Sequence, residues 1–398
     1  MIHITEKFYC CGCMACVSVC PKQCIKMIED EEGFLYPEID ASRCIDCKLC
    51  EKVCPELCQK EERSPLSVYA AKNKNEQIRL ASSSGGIFTL LAEKVIDEDG
   101  VVFGARFNEK WDIVHDYKET KEGLVAFRGS KYVQSYMGDC YQKVKSFLQQ
   151  GREVMFTGTP CQIAGLKNYL RKDYDNLLTV DVVCHGVPSP KVWRMYLDEI
   201  ACKVGKNTVL SHPMGKKAEI KSIDFRSKST GWKKFSFALT LSEATADGEK
   251  NSVLLSSIFT ENLYMNAFLS NLSLRPSCYA CPVKSGKSGS DITLGDFWGI
   301  EKVLPEFDDN KGCSAVLVYT EKGERYIASL QIDTEKADYE SMLVGNPNIE
   351  HSAFLPINRN FFFHEVRKCK TFSVAWNNTI SNSLVKRIWR FIYRKFNR

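Results

Sequence analysis

No apolar run in the 398-residue chain reaches the roughly 18 residues that a helical membrane span needs. Basic and acidic residues nearly cancel, 54 against 49, leaving a net charge of +5. That is too little at this length to argue for nucleic acid. No export signal precedes the first cysteines, and no DNA-binding motif or long basic helix occurs before residue 384. These absences leave a cytoplasmic protein with no nucleic-acid partner. With 44% hydrophobic and 26% charged residues, the composition is that of an ordinary globular protein, long enough for two or three domains.

Cysteine is the exception. There are 19, and most precede residue 60. In a long chain without an export signal, such density reads as metal ligation rather than as a disulfide framework. The run from Cys10 to Cys24, CCGCMACVSVCPKQC, repeats from Cys44 to Cys58 as CIDCKLCEKVCPELC. Both carry C-x2-C-x2-C-x3-C-P, the ligand spacing of paired cubane clusters, whose fourth cysteine serves the other cluster. The spacing therefore predicts one 4Fe-4S cluster on Cys10, Cys13, Cys16 and Cys54, and a second on Cys44, Cys47, Cys50 and Cys20. A pair of zinc knuckles is the alternative, but zinc usually takes two ligands from each of two C-x2-C pairs. Residues 5–58 resemble bacterial-type dicluster ferredoxins. Cys11, Cys24 and Cys58 fall outside the ligand set and read as small buried hydrophobes.

Residues 1–60 thus form a ferredoxin-like domain, and the charged, proline-bearing stretch 61–67 reads as a linker. Beyond it, short β-branched runs alternate with helical ones, predicting a larger, mainly α/β domain over 68–365 with added antiparallel strands. SVYAAK, GVVFGARF, EVMFTG and LLTVDVV read as strands. IKSIDFRSK and KKFSFALTLS read as an antiparallel pair, and a helix lies within NSVLLSSIFTENLYMNAFLSNLS. Two strand-to-loop switches, FTGTPCQIAGL and VDVVCHGVPSP, lie where such folds place ligands, and each carries a cysteine, Cys161 or Cys184. Cys278 and Cys281 add a C-x2-C pair. Four cysteines suit a third cube, but by spacing alone they equally suit packing residues, zinc or a dithiol. Cys140, Cys202, Cys313 and Cys369 show no ligand spacing.

The motifs SSSGGIF, GSKYVQS, GTPCQIAGL, CHGVPSP, DFRSKSTGW and SDITLGDFWG, in this order over residues 66–300, resemble the beta subunits of coenzyme F420 hydrogenases and dehydrogenases. Those proteins bind FAD, and many have a fused ferredoxin-like segment. The resemblance implies FAD and a third 4Fe-4S cluster on Cys161, Cys184, Cys278 and Cys281. It places the flavin at Ser83, Ser84, Gly85 and Gly86, at Lys131, Tyr132, Gln134 and Ser135, at Thr157, Gly158 and Thr159, and at Arg226. Free amides at a glycine-rich helix start bind phosphate, although a serine N-cap gives the same pattern. Arg226 and Lys228 read either as phosphate-neutralising or as a solvated strand end. His185 reads as a proton donor or as a loop-fixing hydrogen bonder, and Asp296 is undecided.

The expected function is an iron–sulfur flavoprotein oxidoreductase, or else an electron-transfer subunit serving a separate catalytic chain. Its expected partners are reduced ferredoxin or another redox protein, and a small-molecule substrate: the deazaflavin coenzyme or another reducible compound, such as a surface-polysaccharide sugar. Self-association belongs to the same expectation. Over 366–398 the basic, tryptophan-bearing tail reads as an amphipathic helix, suited either to the inner membrane face or to docking on protein.

Overall fold

The computed structural model describes residues 2–206, 218–244 and 250–381. Each cysteine run folds as a loop leading into one short helix, α1 (Ala15–Val19) and α2 (Leu49–Lys52), with an antiparallel hairpin, β1 (Ile25–Glu29) and β2 (Leu35–Ile39), between them. Met14 and Lys48, at equivalent places in the repeat, both take left-handed backbone at the start of their helix, so the sequence repeat is also a structural one.

The remainder is a mixed α/β body. Its strands are β3 (Ser67–Asn73), β4 (Val101–Phe107), β5 (Ile113–Lys118), β6 (Val154–Gly158), β7 (Leu177–Val182), β8 (Glu219–Ser227), β9 (Ser236–Ala244), β10 (Lys250–Ile258), β11 (Ile292–Asp296), β12 (Ser314–Val318) and β13 (Ile332–Lys336). The large sheet runs β13-β3-β12-β11-β7-β6-β4-β5. Its centre, β11-β7-β6-β4, is parallel, and its flanks are antiparallel. Strands β8, β9 and β10 form a separate antiparallel sheet. The helices that concern the site are α3 (Glu76–Leu80), α4 (Ile87–Asp97), α5 (Cys140–Gln149), α6 (Pro160–Leu170), α7 (Pro190–Lys206) and α8 (Leu263–Leu269).

The parallel strands β4, β6 and β7 open on apolar runs, residues 101–103, 154–156 and 177–178, because helices cover both faces. Val102, Met155 and Leu178 face α4, and Val101, Phe103, Val154 and Phe156 face α5 and α6. This is the period-two alternation of strands. The α5–α6 core also takes in Met14, Ala15 and Val53. Phe34, at the hairpin turn, enters the core shared by α7, α8 and the three-stranded sheet. The cysteine-rich domain is therefore built into the body rather than tethered to it.

Gly33 shows how close that fit is. Its φ of +87° suits glycine, and a Cβ there would lie 2.2 Å from Lys191 Cβ. Gly33→Ala should destabilise the protein by about 2 kcal/mol or more, from backbone strain plus overpacking. A denaturant midpoint unchanged from wild type would contradict this.

The expected linker is also held. The Arg63 guanidinium donates to the carbonyls of Gly286 at 2.9 Å and Ser290 at 2.8 Å and lies over the Tyr319 ring. NSVLLSSI forms β10 before the expected helix, α8, begins. The helix Arg359–Lys368 runs across residue 365, and the next helix, Phe372–Ser381, puts Phe372 and Ala375 into the core. The face expected on the tail after residue 384 lies outside the described residues. Among these, no helix is long and apolar enough to cross a membrane.

Candidate functional site: a cysteine-lined path to a cleft

The carboxyl ends of β4, β6, β7 and β11 open onto one cleft of about 700 Å³. Ser83, Ser84, Gly86, Lys131, Tyr132, Ser135, Thr157, Gly158, Thr159 and Arg226 line it, as do His185 and Cys184. Two expected flavin contacts lie elsewhere. Gly85 packs into the sheet, where its amide donates to Ser314 Oγ at 3.0 Å and a Cβ would sit 2.3 Å from the Ala71 carbonyl. Gln134 points to the cysteine-rich domain. Its Nε2 donates to the Cys11 carbonyl at 3.1 Å, and its Oε1 accepts from Arg275.

One wall of the cleft is a chain of directed hydrogen bonds. Thr159 caps α6, and its amide donates to Gln162 Oε1 at 2.9 Å, closing a capping box. Gln162 Nε2 donates to Ser135 Oγ at 2.9 Å. Ser135 in turn donates to His115 Nδ1 at 2.9 Å, and His115 Nε2 donates to the Thr157 carbonyl at 2.9 Å. His115, buried and lining the cleft, is not among the residues that the sequence marks, because nothing in its motif context singles it out. Burial pushes its pKa down to about 4, against the pull of the Thr157 carbonyl. The unfolded chain protonates its histidine near 6.5. The folded state resists that proton, so stability contributed by neutral His115 falls away as pH drops from about 6.5 towards 4. The loss approaches about 3 kcal/mol. Thermal midpoints measured from pH 7 to pH 4.5 should fall more steeply in wild type than in His115→Gln, and parallel curves would contradict this.

The cleft lining also holds cations. Arg226 grips Asp296 with both nitrogens, at 2.7 and 3.1 Å, and donates to Tyr132 Oη at 3.1 Å. Asp296, undecided from sequence, also accepts from Trp232 Nε1 at 2.8 Å. Arg226 Nε has no protein partner although it is buried, a donor that fits a cofactor oxygen. Lys131 donates to the carbonyls of residues 127, 128 and 129, and burial lowers its pKa to about 7. Lys228 is not a solvated strand end. Its ammonium donates to the carbonyls of Arg79, Ser84 and Lys311, each at 2.7 Å, and clamps the serine-rich turn before α4.

His185 has no free ring nitrogen. Asn348 Nδ2 donates to its Nδ1 at 3.1 Å, and its Nε2 donates to Asn271 Oδ1 at 2.6 Å. Burial depresses its pKa. The geometry suits a residue that fixes the loop after β7.

The cysteines gather in three sets. Cys20, Cys44, Cys47 and Cys50 line one small pocket, so the fourth cysteine of the first run meets the second run. Burial raises the pKa of Cys16, and Cys10 and Cys54 raise it further. Cys11 pulls the pKa of Cys13 down, but burial outweighs it together with Cys16 and Cys54, and the net shift is upward. In the body, burial pushes Cys184 to about 12 and Cys281 to about 11, with Cys161 adding to both shifts. Cys278 is raised by burial and then by Cys184. Buried thiols that oppose one another's ionisation suit a cationic metal core, which binds thiolate.

Cys11 is a buried core residue, as expected. It is buried in one cluster with Cys13, with Cys161 at the start of α6 packed against that cluster, and the Cys11 and Cys161 thiols act on each other's ionisation. The loop of the first cysteine set thus touches the third set, at the edge of the cleft.

Two family models for the beta subunit of "Coenzyme F420 hydrogenase/dehydrogenase" match the body, one for its N-terminal part over residues 68–140 and one for its C-terminal part over 151–340. The chain belongs to the coenzyme F420 hydrogenase/dehydrogenase beta-subunit family. A "4Fe-4S dicluster domain" matches residues 9–58, which makes this member an iron–sulfur protein of oxidoreductase type. No curated protein matches the chain. Among solved structures it is similar to a chain of the xenon-derivatised F420-reducing NiFe hydrogenase complex from Methanosarcina barkeri. The identity is 17% and the TM-score 0.43, over 73% of this chain and 91% of that one.

Proposed function

We propose that this family member is an FAD-dependent oxidoreductase that exchanges electrons with a ferredoxin-type protein on one side and an organic substrate in the cleft on the other. The packing of Cys11, Cys13 and Cys161 in one buried cluster carries the reading, because it joins the ferredoxin-like domain to the cysteines beside the cleft.

In this reading Cys20, Cys44, Cys47 and Cys50 hold the outer cluster, where Cys47 is exposed. Cys10, Cys13, Cys16 and Cys54 hold the inner one, and Cys161, Cys184, Cys278 and Cys281 a third. The amides of Ser83, Ser84 and Gly86 and the side chain of Arg226 hold the flavin, while Lys131 and Lys228 keep the surrounding loops closed. When bound, the clusters supply one-electron transfer and the flavin links one- to two-electron chemistry. The chain itself supplies burial, fixed carbonyls and cations that orient these groups and exclude water.

Anaerobic titration with chemically reduced ferredoxin tests the proposal: bleaching of both cluster and flavin absorbance is expected, and a chain that accepts no electrons would refute it. Reoxidation by a candidate organic acceptor without a second chain would favour the enzyme over the pure electron-transfer subunit. The deazaflavin coenzyme and nucleotide sugars are the first acceptors to try.

A further inference from the structure

Arg275 is 0% exposed, yet its hydrogen bonds reach no carboxylate. Nε donates to the Cys10 carbonyl at 2.6 Å, Nη1 to Gln134 Oε1 at 2.9 Å, and Nη2 to the Leu35 carbonyl at 2.9 Å. Nη2 also approaches Cys10 Sγ at 3.5 Å. The guanidinium lies 4.3 Å from the centre of the Tyr36 ring. A buried cation is costly unless negative charge or good acceptors surround it. Carbonyls alone would orient it, but the ionisable groups acting on it most strongly are Cys10, Tyr36, Cys11 and Cys278. Of these, Cys10 belongs to the inner set and Cys278 to the third, while Cys11 lies outside both.

We propose that Arg275 is a positioning residue that sets reduction potential: a fixed positive charge beside the cluster held through Cys10. The inference rests on the iron–sulfur reading above. Each electron accepted by a thiolate-bound cluster adds one negative charge to it. A nearby fixed cation therefore stabilises the reduced form and raises the potential, and the low dielectric of the interior strengthens the effect. Placed against Cys10, Arg275 keeps the inner cluster reducible. Gln134 holds the guanidinium in place and ties it to the Cys11 carbonyl.

EPR-monitored redox titration of the anaerobically purified full chain tests this, with iron and sulfide assayed on every sample. Arg275→Gln is expected to shift at least one cluster to a more negative midpoint with iron content unchanged. Arg275→Lys, which keeps the charge but loses the fork, should stay closer to wild type than Arg275→Gln does. Gln134→Glu is isosteric and neutralises the cation where it stands, so it should shift the same signal downward. If Arg275→Gln loses iron, Gln134→Glu alone decides. Unchanged midpoints in an iron-replete Gln134→Glu chain would overturn the proposal. A wild-type chain without iron or sulfide would instead overturn the iron–sulfur reading beneath it.

Discussion

Replacing Cys278 with serine should lower the iron of anaerobically purified protein by about four atoms per chain, from about twelve to about eight, at four per cube. The argument is local. Cys278 Sγ accepts from the Val187 amide at 3.4 Å, and its ionisation is coupled to Cys184, Cys281 and Cys161. Serine retains the size and the hydrogen bond but loses the thiolate that iron prefers. The ferredoxin-like domain, with its own eight candidate ligands, should keep its clusters, and Cys140→Ser should change nothing in the iron count. Iron that stays at the wild-type level in Cys278→Ser would remove Cys278 as a ligand.

The second large effect is expected at Arg226. Its side chain is 3% exposed and Asp296 opposite is 15% exposed, so Arg226→Ala strands a largely buried carboxylate with only Trp232 Nε1 to donate to it. Breaking such a pair from one side costs about 3–5 kcal/mol, and the thermal midpoint should drop by several degrees or more. Asp296→Asn should also destabilise. In the double variant Arg226→Met with Asp296→Asn, part of the loss should return, because no uncompensated charge remains. Because Arg226 Nε is a buried donor without a protein partner, both Arg226 variants should also release bound flavin on gel filtration. Flavin retained in full by Arg226→Ala would remove Arg226 from the binding site while leaving the stability argument intact.

The features legible in the sequence are those set by short-range rules. Ligand spacing in the cysteine runs is local, so the crossing of Cys20 to the second run can be read before any fold is known. The parallel strands announce themselves as apolar runs because both their faces are covered, and the Ser82–Gly86 turn and Thr157–Thr159 are marked by their place beside a strand or helix end. The features that are not legible depend on contacts between distant segments. Gln134 sits within a motif expected to hold flavin, yet its amide serves a carbonyl 123 positions away in sequence. Arg275 acts 265 positions away, on Cys10. Cys11 reads as a packing residue because its repeat partner is Ile45, but its thiol gains a meaning only once α6 brings Cys161 alongside. His185 stands out because histidines beside cysteines often do chemistry, whereas the structure occupies both its nitrogens with asparagine side chains. His115, with no motif around it, lines the cleft.

The most direct test is to quantify iron, acid-labile sulfide and flavin together on one anaerobically purified sample of the full chain. The account predicts about twelve irons and as many sulfides per chain, from three cubes, with one FAD. About eight irons would confine the clusters to the ferredoxin-like domain and contradict the third site, and a sample without flavin would contradict the oxidoreductase reading of the cleft.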